Sequence, residues 1–554
     1  MKQRKYFEVF ASVGRKSVPS KDFPYTVDAL LADMEYARIH GAAIISNAAE
    51  AYSYMYGNRE ALALACGNSK LAGSSSNPAE SELRLVGSNF RLAAIAAVPP
   101  TAILETGDTA FYKRLLEEGF CAFAAFYKRA FRTSLHPKSM EPMVEALLAH
   151  QKPLIIPGPP DVEWYEQISR LSQAYPELPI IMQGTTWGLG RAFCEVMDRH
   201  ENLYFEISSN HVNNILEFTG KHFGIERAMY SSAWPDKSMG AMKSLIEYAD
   251  LTEDEKDLVA HGNACRLFGI DPEKLPFYDD AVCRLDPIAR EADAGMPISV
   301  PVIDSHTHMV DVEDQCVSSS MMPQSDCHGM VRKMERLGID KILTTPWSGI
   351  SIDGQRSNES VLYAAQVYPG KVLGYSACNV HYDEDRQSWE RYHTAYPELF
   401  VGVKPYWPAV KVDLTDKVYE EWFSYANEHH LLLLIHGNGS DAILSQAEML
   451  SVKYPDLTII LAHSGENYAI ARKHAALARE RDNVVLEITY TTTTRGMIEF
   501  LVAEVGADKV LYGSDQPMRD PAPQLGWVCY ADISVEDKKK VLGGNIQRLL
   551  DRRI

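Results

Sequence analysis

The stretch Val302-Ile303-Asp304-Ser305-His306-Thr307-His308 carries two histidines one residue apart inside a short apolar, β-prone run. In a strand, side chains alternate between faces, so Asp304, His306 and His308 point one way while Ser305 and Thr307 point the other. Two imidazoles converging on one spot are the start of a metal site. A structural site recruits four Cys or His ligands, whereas a catalytic one uses three protein ligands and leaves a position open. The chemistry therefore depends on which further donors the chain brings to the same place.

Those donors recur at regular intervals through the second half. Strand signals fall at Val302–His308, Lys341–Thr345, Val372–Ala377, Phe400–Lys404, Leu431–His436, Leu457–His463, Val484–Thr489 and Lys509–Gly513. Helical spacing separates them, as over Cys327–Leu337, Glu359–Tyr368, Lys417–His429, Ala442–Tyr454, Ala469–Arg481 and Gly496–Val505. Eight βα units in about 250 residues predict a closed parallel barrel, which keeps its active site at the C-terminal strand ends. His306 and His308 end the first strand, Lys404 the fourth, His436 the fifth and His463 the sixth, and Asp515 follows the eighth. One His-x-His pair is weak evidence, because single histidines usually end as satisfied core or surface groups. Four histidines and an aspartate at the strand ends of one barrel predict a metal centre. His328, His381, His393, His429 and His430 lack such placement or fall in helices and are read as bystanders.

Ile303-Asp304-Ser305-His306-Thr307-His308, Leu434-Ile435-His436, Leu461-Ala462-His463-Ser464-Gly465 and Tyr512-Gly513-Ser514-Asp515-Gln516-Pro517 resemble motifs of the amidohydrolase superfamily, specifically its amidohydrolase-2 branch of metal-dependent hydrolases and decarboxylases. The resemblance covers residues 299–554. It implies that His306, His308, His436 and Asp515 hold one divalent ion, most often zinc, and that His463 contacts substrate or the reacting water. Manganese, iron or cobalt would suit the same donors. A zinc-like ion lowers the pKa of bound water to about 7 and polarises a carbonyl. Asp515 would then act as general base and His463 would stabilise the developing oxyanion. Asp304 either orients His306 from behind or ties the barrel bottom.

Lys404 has three readings: a carbamylated lysine bridging two metals, as other amidohydrolase branches suggest, a cation for a substrate carboxylate, or a buried structural ion pair. Tyr406 and Trp407 would line the pocket beside it. Arg519, with Arg356 and Arg495, falls in a predicted rim loop and is available to an anionic substrate. The expected activity is hydrolysis of a C–O or C–N bond in a lactone, ester or amide of a small metabolite. The alternative is non-oxidative decarboxylation of an aromatic or unsaturated acid, and a third reading is a noncatalytic scaffold or ligand sensor. No GxGxxG after a strand, Walker A loop or GxSxG elbow is present.

The first half repeats the second faintly but in register. A shift of 279 lays Tyr175-Pro176-Glu177-Leu178 on Tyr454-Pro455-Asp456-Leu457 and Leu154-Ile155-Ile156 on Leu433-Leu434-Ile435. A shift of 282 lays Met229-Tyr230-Ser231-Ser232-Ala233 on Leu511-Tyr512-Gly513-Ser514-Asp515 and Gly262-Asn263 on Gly544-Asn545. Under these registers His436 becomes Pro157, His463 becomes Gly184 and Asp515 becomes Ala233. Aligning Phe7-Glu8-Val9 with Ile303-Asp304-Ser305 turns His306 and His308 into Phe10 and Ser12. Every expected metal ligand is lost. Glu487, matched by Glu206, survives and is read as structural.

The prediction is two tandem TIM-like (β/α)8 barrels: a degenerate one at 1–285, a linker at 286–298 within the Pro-, Asp- and Ala-rich Asp271–Ser299, and a catalytic one at 299–554. The degenerate barrel either shapes the entrance of its twin or only stabilises it.

A hydrophobic fraction of 46% and a charged fraction of 23% fit a globular protein with large cores. The net charge of -19 disfavours nucleic-acid and anionic-membrane partners. The basic start Met1-Lys2-Gln3-Arg4-Lys5 lacks a following apolar run, and nine cysteines without a CxxC pair suggest reduced thiols and a cytoplasmic location. A small-molecule substrate is the expected partner, with self-association into a homo-oligomer left open.

Overall fold

The computed structural model describes residues 4–18, 20–67, 91–278, 283–314 and 316–553. Met1, Lys2 and Gln3 of the basic start and residues 279–282 of the Asp271–Ser299 segment lie outside the described residues. The chain divides into two compact units, Met1–His211 with Ile215–Arg284, and Val212–Asn214 with Leu285–Ile554.

The first unit contains β1 (Phe7–Val13), β2 (Gly41–Ser46), β3 (Arg91–Ala97), β4 (Ala122–Ala124), β5 (Leu154–Pro157), β6 (Ile180–Gln183), β7 (Leu203–Glu206) and β8 (Ala228–Met229). The strands lie in chain order in one parallel sheet with helices between them. Backbone bonds from Val9 N to the Tyr230 carbonyl and from Ser12 N to the Trp234 carbonyl close it into a barrel. Phe7, Val9, Ile95, Ile155 and Ile181 contribute to its apolar interior.

The second unit repeats the plan with β9 (Ile303–Thr307), β10 (Lys341–Thr344), β11 (Val372–Ser376), β12 (Phe400–Val403), β13 (Leu432–Ile435), β14 (Thr458–Leu461), β15 (Val484–Glu487) and β16 (Val510–Leu511). It closes through Ser305 N to the Tyr512 carbonyl, Asp515 N to the His306 carbonyl and His308 N to the Gln516 carbonyl. The two closures correspond residue for residue: Val9 with Ser305, Ser12 with His308, Tyr230 with Tyr512 and Trp234 with Gln516. The chain is therefore a tandem of TIM-like barrels, and Phe10 and Ser12 occupy the strand positions of His306 and His308.

Local chemistry explains individual elements. The helix Cys327–Leu337 starts where the Asp326 carboxylate accepts the Gly329 N–H at 2.7 Å, and buries Cys327, Met330, Val331, Met334 and Leu337 on one face. It ends at Gly338, whose φ of 79° suits a residue without a Cβ. In both barrels an asparagine after a π-helical turn ties the last strand. Asn263 Nδ2 donates to the carbonyls of Ile225 and Ala228 at 3.1 and 2.9 Å, and Asn545 Nδ2 to those of Ala507 and Val510 at 2.7 and 2.9 Å. Residues 286–298 contain a short helix, Pro287–Asp293, capped by the Asp286 side chain. Among the described residues no helix is long and apolar enough to cross a membrane.

Candidate metal centre

β9 delivers His306 and His308 to the C-terminal mouth of the second barrel, and the turn after β16 delivers Asp515. His306 Nε2 and His308 Nε2 lie 3.0 Å apart, with Asp515 Oδ1 at 3.5 and 3.2 Å from them. All three side chains are buried. Among the described residues, His306, His308 and Asp515 form one of two groups whose donor atoms lie close enough to share a metal ion, and His306, His463 and Glu487 form the other.

The hydrogen-bond network assigns the tautomers. His306 Nδ1 faces Glu487 Oε2 at 2.9 Å, His308 Nδ1 faces the Thr345 carbonyl at 2.8 Å, and His463 Nδ1 faces the Thr489 carbonyl at 2.9 Å. Each Nδ1 must carry the proton to satisfy its acceptor, so each Nε2 presents a lone pair. Burial holds the pKa of all three imidazoles well below the ordinary value, keeping them neutral and able to ligate. Asp515 Oδ1 is buried without a hydrogen-bond partner. Two imidazole lone pairs and a carboxylate oxygen thus converge with no proton of their own between them. That donor set fits a divalent cation.

His436 stands one step out. Its Nδ1 is 3.1 Å from His463 Nε2 and donates to it, leaving the His436 Nε2 lone pair free to ligate. Trp407 Nε1 donates to the His436 carbonyl at 2.9 Å, and the Tyr406 ring sits 5.4 Å from the His436 ring. The two aromatics therefore brace the fifth-strand histidine. Both His463 and Asp515 adopt φ of 62°, a costly left-handed conformation for residues with a Cβ. Their first-barrel counterparts, Gly184 at 87° and Ala233 at 53°, keep the bend without the donor.

Two cations flank the cluster. Lys404 Nζ is 2.8 Å from His306 Nε2, is fully buried and forms no ion pair among the described residues; burial lowers its pKa to about 7. Arg519 Nη1 pairs with Asp515 Oδ2, fixing that carboxylate with Oδ1 toward the histidines. Burial lowers the Arg519 pKa to about 10.

Arg356 departs from expectation. It lies in the helix Gly354–Val367, where Asp311 and Asp314 take up its charge, rather than in a rim loop. Asp304 accepts from Ser514 N at 3.0 Å and His306 N at 3.2 Å, so it ties the first strand to the turn after the last and does not touch the imidazole.

Glu487 is the residue whose part the sequence did not reveal. It is structural in the sense expected, accepting from Thr489 N at 2.6 Å, but its other oxygen also holds His306 Nδ1. A Cβ at Gly513 would sit 2.3 Å from Glu487 Oε1, so this glycine makes room for the oxygen that accepts from Thr489 N. The first barrel has Ser231 there, and Glu206 instead binds Gly184 N and Ser208 N, each at 2.6 Å.

The Amidohydro_2 sequence profile, described as Amidohydrolase, matches residues 159–270 and 348–552, more than half of the chain and parts of both barrels. The chain belongs to the amidohydrolase family. This amidohydrolase is 30% identical over 115 residues to a gamma-resorcylate decarboxylase of Polaromonas sp. strain JS666, a match covering 18% of this chain and 35% of the relative. The match thus spans about a third of that protein's length. Among solved structures, a 2,6-dihydroxybenzoate decarboxylase from Rhizobium is similar at 15% identity and a TM-score of 0.37, covering 46% of this chain and 99% of its own. A 5-carboxyvanillate decarboxylase from Novosphingobium aromaticivorans, solved with manganese and 4-hydroxy-3-methoxy-5-nitrobenzoic acid, is similar at 18% identity and a TM-score of 0.37, covering 46% and 96%.

Proposed function

We propose that the second barrel is a metal-dependent, non-oxidative decarboxylase of a small aromatic or unsaturated carboxylic acid. The similarity to a gamma-resorcylate decarboxylase favours this reading over hydrolysis of a lactone, ester or amide. The observation that carries it is Lys404, a buried amine with no carboxylate partner among the described residues, 2.8 Å from a histidine of the donor cluster. Burial makes the charged form of this amine costly, as its lowered pKa reflects, and a substrate carboxylate beside it would offset that cost. A neutral ester or lactone would not.

His306, His308 and Asp515, with His436 through Nε2, would hold the ion, which when bound would supply Lewis acidity and an anchor for a substrate oxygen. Zinc and manganese both suit these donors. Lys404 would bind the substrate carboxylate. Decarboxylation breaks the bond between the carboxyl carbon and its neighbour, releases CO2 and leaves the electron pair on that neighbour, which must take up one proton. Asp515 Oδ1, buried and without a donor, would carry that proton, while Arg519 fixes the other oxygen. Water reaching the site past half-buried His436 would replace that proton.

The test supplies zinc or manganese to the purified full-length chain and follows CO2 release from 2,6-dihydroxybenzoate and related hydroxybenzoates beside hydrolysis of aryl lactones. Metal-dependent CO2 release that is lost in His308→Ala and Asp515→Asn, with both variants folded, is the expected result. Lactone hydrolysis without CO2 release would overturn decarboxylation, and failure of the folded protein to retain metal would overturn the metal centre itself.

A further inference from the structure

The mouth of the first barrel has lost its metal donors but not its cavity. A space of about 810 Å³ opens there, lined by Phe10 and Ser12 from β1, Ile45 from β2, Phe126 and Arg132 from the segment after β4, and Ala233 after β8. Its size falls in the range of small-molecule sites, which run from roughly 300 to 1,000 Å³. Where the second barrel has His306 and Asp515, this one has a phenyl ring and a methyl group. The Phe10 and Phe126 rings meet edge to face with centroids 6.5 Å apart, and both are buried. The floor therefore favours a flat apolar body.

Charge accounting leaves one group over. Five charged side chains line the cavity. Arg129 pairs with Glu50 at 2.7 Å, and Lys16 with Asp236 at 3.5 Å. Arg132 has no hydrogen bond or ion pair among the described residues, so the lining carries one unmatched positive charge. Its backbone is held at φ of 50° in a loop pinned by Phe131 N to the Phe126 carbonyl and Thr133 N to the Tyr127 carbonyl. Backbone held in that region recurs at ligand clamps, and Arg132 stands there beside the cavity with its guanidinium unpaired among the described residues.

We propose that the first barrel binds a small aromatic carboxylate without transforming it, the ring against Phe10 and Phe126 and the carboxylate on Arg132. None of these residues belongs to the candidate metal centre, so the inference does not depend on the reaction proposed for the second barrel.

The test is calorimetric titration of the full-length chain with 2-naphthoate and with the neutral 2-naphthamide. Wild type is expected to bind naphthoate more tightly than the amide, and a His306→Ala, His308→Ala double variant is expected to retain a saturable naphthoate site. Arg132→Gln, at an exposed position where folding should survive, is expected to weaken that site roughly ten- to a hundredfold, the loss of one charge-assisted contact. Unchanged affinity in Arg132→Gln would overturn the proposal. So would loss of all binding in the double variant with Arg132 intact, which would place the ligand in the second barrel, or no saturable binding below about 1 mM.

Discussion

Glu487→Gln isolates one proton on one imidazole. In the native site the Glu487 carboxylate accepts on both sides, from His306 Nδ1 at 2.9 Å and from Thr489 N at 2.6 Å. A glutamine has only one oxygen. If that oxygen faces His306, the amide NH2 meets the Thr489 N–H and that bond is lost. If the NH2 faces His306, Nδ1 must become the acceptor, the proton moves to Nε2, and the lone pair aimed at His308 and Asp515 disappears. Either outcome removes a buried charge-assisted bond worth about 1.5–3 kcal/mol. Loss of such a ligand-orienting carboxylate typically lowers metal affinity about 10- to 100-fold.

The assay is a competitive chelator titration of zinc or manganese on wild type and variant, with a thermal melt beside each. The expected result is weaker metal binding by a folded protein. Wild-type metal affinity in a variant that melts lower would refute the reasoning and leave Glu487 a purely structural residue. Gly513→Ala tests the same carboxylate from the Thr489 side, because its Cβ would fall 2.3 Å from Oε1, the oxygen the Thr489 N–H holds, and displace the group whose other oxygen bonds His306.

The first barrel offers a pH test. Burial raises the Glu8 carboxyl from its ordinary 4.5 to about 7, against the lowering effect of its bonds to Ser231 and Ser232. A folded-state pKa above the unfolded one favours the protonated fold, so this contribution is complete below about 4.5 and is lost as pH rises to about 7. The change is about 3 kcal/mol. Glu8→Gln is expected to flatten the fall in denaturation midpoint across that window, and an unchanged slope would contradict the assignment. The two asparagine ties make a matched pair: Asn263→Ala and Asn545→Ala each strip two buried carbonyls of their donor and should each lower stability by about 1–3 kcal/mol in urea denaturation. A loss in only one barrel would show that the repeated geometry does not carry a repeated energetic role.

The strands of the second half were legible because each is a short Val-, Ile- or Leu-rich run between turn residues, and all eight expected strands form. The helix Asp383–Ala395 left little apolar signal, since its buried face is built from Asp385, Ser388, Trp389, Tyr392 and His393. Asp385 earns that place by accepting Gly354 N at 2.8 Å and Gln355 N at 3.1 Å, a role visible only once the chain has folded. Pro521–Cys529 is buried on every side and so shows no amphipathic period. Of the histidines read as bystanders, His328 bonds the Tyr368 hydroxyl and His393 bonds Ser376 Oγ, both at 2.8 Å.

The positions of His306, His308, His463 and Asp515 at or just beyond strand ends follow from residue patterns local to each strand, whereas the left-handed turns that aim His463 and Asp515 and the bonds that close the barrel are tertiary. The repeat shows equally from residues alone that Phe10, Pro157, Gly184 and Ala233 offer no side-chain lone pair to a metal. Sequence does not determine which nitrogen of an imidazole carries the proton. That depends on Glu487, Thr345 and Thr489, whose acceptor atoms reach the rings from neighbouring strands. Nor does it determine that Arg519 holds Asp515 while Lys404 meets His306 and, among the described residues, no carboxylate. Such assignments depend on distances of a few ångströms between residues far apart in the chain, and the packing of the closed barrel sets those distances.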